Sequence, residues 1–543
     1  MVTALLLMLA CAPDVAEPPV VTEVASPFVP LDAPRLLRRM SLDLRGVLPT
    51  VAELDAVEAD ATQVDVLRDT FLQDPRLEGR LVALFSEQWH TLVDQFAADW
   101  YDFGLTSEDE FRFERSIGEE PLRLLAYVAT HDRPWTEIVT ADYMLSDELL
   151  AGMWPVAYPE GGTGWQVSQW TDGRPPAGVL VSNGLWWRYS TNPFNQNRTR
   201  AAAMFRLLVC EDFHARPVSF ADASAGFEAE ESDTRIKDDP YCVACHATIE
   251  PAASALFGFW WFRQNSPTEM VRYHAEREQL GIDTLGAAPA WFGEPVVGLE
   301  DLGRHIAEDG RFPECAARTM ATAMWRRDTV LEDQPRIEAL EAAFVAADMR
   351  MPVLLRDLTD GPEYRAGAVT ADAPVDVAAR EITVRLLSPD LLGGVIEDLT
   401  GWTWMSFGFD QLHNDTFGYR MLANGVDGEH VTRMAQDPTI TWSLVSSRAA
   451  EAAAHTAVQH DLVAGTSPRQ LLQSVTLEST PDSAEFQAEL AALHWRLLAR
   501  RATADDLLAL TTLWSALEPT GGPTGAWKGV LAALLQHPEF LSY

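Results

Sequence analysis

Cys242, Val243, Ala244, Cys245 and His246 form a Cys-x-x-Cys-His run. Thiols three positions apart can add to the two vinyl groups of one haem, and the imidazole beside the second can meet the iron from the same side. The spacing predicts covalent attachment of a single haem c at Cys242 and Cys245, with His246 as the metal ligand. Three other chemistries use the same residue types. A redox dithiol belongs in a βαβ setting, which the surrounding pattern lacks. A structural zinc needs a fourth ligand, and no second Cys-x-x-Cys or paired histidines stand ready. A plain Cys242–Cys245 disulfide stays open.

The sixth iron ligand has five candidates: Met270, Met320, Met324, His274 and His305. Methionine would raise the potential, histidine would leave it lower, and an open position would allow small-molecule chemistry. Met320 and Met324 are four apart, which reads first as a core stripe. The two histidines sit in charged surroundings and read first as surface groups. Phe257, Phe259, Trp260, Trp261 and Phe262 follow the motif, either as ordinary core or as a wall for a macrocycle. Trp165, Trp170, Trp186 and Trp187 read as packing, with a sugar-stacking surface as the alternative. Gly-x-Ser-x-Gly, His-Glu-x-x-His, Walker and Gly-x-Gly-x-x-Gly motifs do not occur, so no catalytic residue is assigned.

The other cysteines bear on compartment. Ala4 to Ala10 is an apolar run followed at once by Cys11, then by Pro13, Pro18, Pro19, Pro27 and Pro30. This resembles a bacterial lipoprotein signal, although no Lys or Arg precedes the run. It predicts lipidation of Cys11 and a periplasmic or cell-surface location. Cys210 and Cys315 remain. They are either a disulfide, as an oxidising compartment allows, or two buried thiols.

The elements that must hold these groups read as mostly helical. Pro34 and Arg35 to Met40 open a helix ending near Gly46, and Thr50 with Glu53 forms a capping box for the next. Helical spacing continues over 67–92, broken at Pro75, then over 119–130 and 141–150. Residues 158–178 read as a long ordered loop, and Asn197 to Cys210 as a strong helix. Ser388-Pro389 and Thr503 with Asp506 mark later helix starts. The turn Gly361-Pro-Glu-Tyr364 recurs as His537-Pro-Glu-Phe540, as duplicated units or as common helix-stop chemistry. Strands are expected to be few.

A chain of 543 residues exceeds one compact core. The divisions expected are a signal at 1–11, a Pro-rich tether at 12–34 and a helical domain with the Trp/Gly-rich loop at 35–195. A cytochrome c-like module with following helices occupies 196–365, a linker 366–378 and a C-terminal helical domain 379–543. Eighty acids against forty-one bases leave a net charge of −39, which argues against nucleic-acid binding and suits a basic partner or a solvated surface. No window of eighteen unbroken apolar residues occurs.

Together these stretches resemble a family: the large exported proteins of unknown function, abundant in planctomycetes and related bacteria, that carry a degenerate cytochrome c module among helical domains. The matching segments are Leu36 to Leu54, Asp132 to Asp147, Arg198 to Cys210 with Cys242 to Pro251, Phe312 to Arg327 with Ile337 to Arg365, Arg385 to Gly401, and Leu493 to Phe540. The resemblance implies a haem-type role for Cys242, Cys245 and His246. Beyond Pro251 the family continues with Gly and an acidic–Phe–Asp run, where this chain reads Ala-Ala-Ser-Ala-Leu-Phe-Gly-Phe-Trp-Trp.

The expected function is electron transfer between one haem and a partner protein in the envelope. Two alternatives stand beside it. One is a structural or binding lipoprotein with a Cys242–Cys245 disulfide and no haem. The other is an enzyme with an open iron site.

Overall fold

Local chemistry sets the first helix. Asp32 accepts from Arg35 N–H (3.0 Å) at its start, and Gly46, at φ 73°, closes it in the left-handed conformation that glycine adopts at low cost. The helix is Ala33–Arg45. At the next helix, Val51–Ala59, both halves of the expected box form: Glu53 N–H donates to Thr50 Oγ1 (3.2 Å) and Thr50 N–H to Glu53 Oε2 (2.8 Å). Pro75 separates Gln63–Phe71 from Arg76–Trp89, as its missing N–H requires.

A computed structural model describes residues 26–93, 96, 98–216, 239–259, 267–413 and 418–543. It is mainly helical, with 60% helix against 6% strand, and multi-domain. The segment 1–25, with Cys11, lies outside the described residues. No described helix is long and apolar enough to cross a membrane.

Two apolar cores divide the chain. The larger runs from Leu36 to Tyr364 and also takes in Trp495 and Ala499. The smaller gathers Leu386 to Leu541 with Leu42 and Leu48 from the other end of the sequence. Residues 35–195 and 196–365 therefore share one core, and position 195/196 is no break in packing. A satellite cluster joins Phe113, Met144, Trp154, Trp187 and Val271.

The first helix belongs to both lobes. Arg39 donates to Tyr364 O (2.6 Å) and Ala366 O (2.8 Å), while Arg38 donates to Phe540 O (2.8 Å). Asp43, buried on the same helix, accepts from Arg385 (2.8 Å), Tyr364 Oη (3.0 Å) and Tyr543 Oη (2.7 Å).

The 366–378 linker carries a strand, Ala366–Val369, paired antiparallel with Phe28–Pro30 at the end of the tether segment. Two expectations change. Residues 141–150 are not one helix. Met144–Ser146 is a strand, and Glu148–Met153 is a short helix capped by Asp147. The 158–178 loop supplies Gln166–Trp170, the middle strand between Met144–Ser146 and Val156–Ala157.

Candidate functional site

Cys242, Cys245 and His246 lie on one helix, Pro240–Ser254, which opens on a proline as a first helical turn favours. The helix packs against Arg198–Val209 and Glu278–Leu285. Contact with the second is close: a Cβ on Gly281 would lie 2.3 Å from Ser254 O, so only glycine admits that approach.

Neither Cys242 nor Cys245 is in a disulfide, and both are partly exposed. Cys210 and Cys315, by contrast, are bonded to each other, with Cα atoms 5.3 Å apart. The open choice between a disulfide and two buried thiols is thus settled for that pair. At 100° per residue, Cys242 projects about 40° and Cys245 about 100° from His246 around the helix axis. Cys245 rests against the larger core. The Arg216 guanidinium is held mainly by Glu211 (2.6 Å) and is within electrostatic reach of the Cys245 sulfur.

His246 is oriented by a carboxylate. Its Nδ1 lies 2.6 Å from Glu250 Oε1, one helical turn on. Arg198 grips the same carboxylate through Nε (2.6 Å) and Nη2 (3.2 Å). Burial pushes the Glu250 carboxyl up, but His246 and Arg198 outweigh it and hold it below the usual range. An ionised carboxylate only accepts, so Nδ1 carries the hydrogen and Nε2 is the nitrogen left for a metal.

His246 lines a cavity of about 380 Å³, together with Gln196, Arg198, Glu250, Pro251 and Leu285. Gln196 (φ 53°), which lines it, and Asn197 (φ 67°) are consecutive non-glycine residues in the left-handed region, a strained arrangement that packing must enforce. No protein-family model, curated protein or solved structure matches the chain. The site's chemistry therefore rests on its own geometry.

The other candidates lie elsewhere. Met320 and Met324 are core residues, and Met270 packs on the satellite cluster. His274 is buried, with Nε2 2.9 Å from Glu269 O and Nδ1 3.0 Å from Glu276 Oε1. His305 sits on the helix Gly298–Glu308, 3.9 Å from Asp301. None of the five lines the cavity beside His246. Phe257 and Phe259 turn into the larger core, Phe259 against Tyr273 (5.2 Å), and neither walls the cavity. Trp260, Trp261 and Phe262 lie outside the described residues. Trp186 and Trp187 are buried, and Trp170 is sandwiched by Trp154 (5.8 Å) and the Arg174 guanidinium (3.4 Å), which is packing. Arg123 lies over Trp165 at 5.1 Å.

Sequence reasoning missed Glu250 and Arg198. The spacing of His246 and Glu250, four apart within a helix, was a usable signal for the first. Arg198 carried no such signal, because its partnership is made by tertiary packing. Among the described residues, no group of three or more His, Cys, Asp or Glu is arranged to hold a bare metal ion. At the cavity the described residues offer one imidazole, that of His246, and neither Cys242 nor Cys245 is among its lining residues.

Proposed function

We propose that the chain is an exported single-haem protein that exchanges electrons with a partner protein in the envelope. Cys242 and Cys245 would hold the haem, and His246 would ligate its iron. The observation that carries this reading is the 2.6 Å contact from His246 Nδ1 to Glu250, directly after a Cys-x-x-Cys pair that forms no disulfide. A metal-bound histidine usually gives its other ring N–H to a carboxylate or carbonyl, which sets the ring's orientation and raises its basicity. Glu250 does this, and Arg198 fixes Glu250. The cavity of about 380 Å³ lies on the His246 side of the helix. The Cys210–Cys315 disulfide is compatible with an oxidising compartment, where haem attachment of this kind takes place. When bound, the haem supplies one-electron redox chemistry.

The test is a pyridine haemochrome assay on the full chain, made in a host competent for haem attachment. One covalent haem per chain is expected, lost in Cys242→Ala. Colourless protein whose Cys242 and Cys245 both react with a thiol reagent overturns the reading.

The open-site enzyme is the second reading, favoured by one observation. Among the described residues, His246 is the only His or Met lining the cavity. A reduced spectrum that is five-coordinate or water-ligated, with peroxide reactivity, would select it, and a six-coordinate inert haem would exclude it.

A further inference from the structure

A second cavity, of about 360 Å³, opens where the two lobes meet. Its walls come from the end of Arg76–Trp89, from Arg198–Val209, from the turn after Arg311–Trp325, and from Ile382 and residues 426–436. Four arginines line it, Arg206, Arg326, Arg327 and Arg433, against two carboxylates, Glu87 and Asp328. That balance is opposite to the chain's, where acids outnumber bases about two to one.

The pairing sharpens the contrast. Glu87 is taken by Arg326 (2.6 Å), and Asp328 by Arg433. Arg327 is answered by Asp333 (2.7 Å) and Glu381 (2.9 Å). Arg206 has no carboxylate partner among the described residues. Its Nη2 donates to Tyr189 Oη (2.6 Å), a neutral acceptor. A guanidinium with no counter-charge at a partly enclosed wall is a ready acceptor for an oxyanion. Arg326, buried beside it, has an Nε with no hydrogen-bond partner.

The cavity is a built feature. Arg188 bridges its two sides, donating to His90 O (2.6 Å) in one lobe and to Gly428 O (2.7 Å) in the other. A Cβ on Gly428 would lie 2.6 Å from Leu92 O, so the 426–436 segment seats against the first lobe through a glycine. Ile382, Val426 and Met434 add an apolar face.

We propose that this interlobe cleft binds a small organic anion, its oxyanion received by Arg206 and its carbon skeleton lying on Ile382, Val426 and Met434. The volume lies within the range of small-molecule sites, and an apolar wall with a few placed polar groups is their usual composition. His90 registers the positive field of the arginines around it. Burial, Arg206 and Arg188 together push its imidazole down to about 4, so it is neutral near neutral pH and the cleft's positive charge comes from the arginines. The inference is independent of whether haem is attached.

Calorimetry and thermal unfolding of the full chain test it, with inorganic phosphate and succinate as probes and sodium chloride at matched ionic strength as the reference. Saturable binding of one probe is expected, beyond the chloride effect. Phosphate identifies a phosphorylated ligand, and succinate a carboxylate. Arg206→Gln should weaken binding by about tenfold or more, the scale of one charge-assisted hydrogen bond. Val426→Trp, which fills the cleft while leaving all four arginines in the sequence, should abolish it and decides the matter if Arg206→Gln fails to fold. The proposal falls if neither probe exceeds chloride, or if binding survives unchanged in the folded variants.

Discussion

Arg38 and Arg39 are neighbours in sequence, and Arg38 serves the C-terminal lobe alone while Arg39 joins the two, donating to Tyr364 O and Ala366 O on one side and to Thr383 O (2.7 Å) on the other. Arg39 ties down the Pro362–Arg365 turn through Tyr364 O (2.6 Å), and Arg38 ties down Pro538–Leu541 through Phe540 O (2.8 Å). Adjacent helical positions diverge by 100°, so one turn of helix reaches both sides. The two turns are the recurrent Pro-Glu-aromatic units, and Tyr364 and Phe540 are both fully buried. Burial pushes the Arg38 guanidinium down to about 10 and that of Arg39 to about 9, a cost that their carbonyl partners offset.

Removing either guanidinium strands buried carbonyls, and hydrogen bonds from a charged group are worth about 1.5–3 kcal/mol each. Arg38→Met should therefore weaken the C-terminal lobe by about 3–5 kcal/mol. Arg39→Met should weaken both lobes, because its carbonyl partners Tyr364 and Thr383 lie on either side of it. Hydrogen exchange read lobe by lobe separates the two cases. Equal loss of protection in both lobes for Arg38→Met would contradict this division of labour.

Asp43 makes the matching prediction for charge. Burial pushes its carboxyl up, but Arg385, Arg326 and Arg80, with the Tyr543 hydroxyl, hold it below the ordinary range. Its folded pKa lies below the unfolded one, so its stabilisation is present above about pH 4 and fades as pH falls through the folded value. Asp43→Asn leaves Arg385 buried without a counter-charge and should cost about 3–5 kcal/mol at neutral pH. The gap to the parent should narrow in acid, as denaturant titrations at stepped pH would show.

The Cys210–Cys315 bond spans 105 positions and joins the ends of two core helices. In the chain-entropy picture a loop of that size is worth about 4–5 kcal/mol. Reduction, or Cys315→Ala, should lower the melting temperature of the larger lobe. Peptide mapping without reductant should recover the Cys210 and Cys315 peptides together, and their separate recovery would sink the pairing.

Much of this fold was legible where the chemistry is local. The Thr50–Glu53 and Thr503–Asp506 boxes and the Ser388 cap form as their spacing predicts, because each needs only its own turn of chain. The Met144–Ser146 strand was not legible. Three residues are too few for a period-2 pattern, and the strand is fixed by a buried Ser146–Ser168 hydrogen bond (2.7 Å) to a distant loop. Residues 366–378 read as a linker because their pairing partner, Phe28–Pro30, lies near the other end of the chain. At the site, the helix Pro240–Ser254 was not among the expected elements, but the Cys-x-x-Cys-His motif that it carries could be read directly. The cavity wall from Glu278–Leu285 and the Arg198 clamp could not, since both arise from packing between segments.

Glu250 should tune whatever His246 binds. Losing a carboxylate behind a metal-bound histidine typically costs about 10–100-fold in metal affinity or activity. With haem attached, Glu250→Ala should leave the thioether bonds intact but weaken the iron–imidazole bond, seen as a shifted reduced spectrum and altered midpoint potential. An unchanged spectrum and potential would show that Glu250 does not act through His246.

Glu120 offers a pH signature away from the site. Burial pushes its carboxyl up to about 7, against the opposing pull of Ser182, the Gly184 N–H and Arg174. The acid is neutral in the fold at mildly acidic pH, and its two donors, the Ser182 hydroxyl and the Gly184 N–H (3.1 Å), serve a neutral carboxyl oxygen as well. The folded pKa lies above the unfolded one, so this group favours the fold fully below about pH 4.5, and that contribution is lost as pH rises to about 7. Glu120→Gln keeps the neutral form at every pH. It should flatten the stability profile between those limits and, above pH 7, remove a penalty of about 3 kcal/mol. Denaturant midpoints at pH 5 and pH 8 measure this directly: parent and variant should differ more at pH 8, and a constant offset would mean that burial of Glu120 carries no such charge penalty.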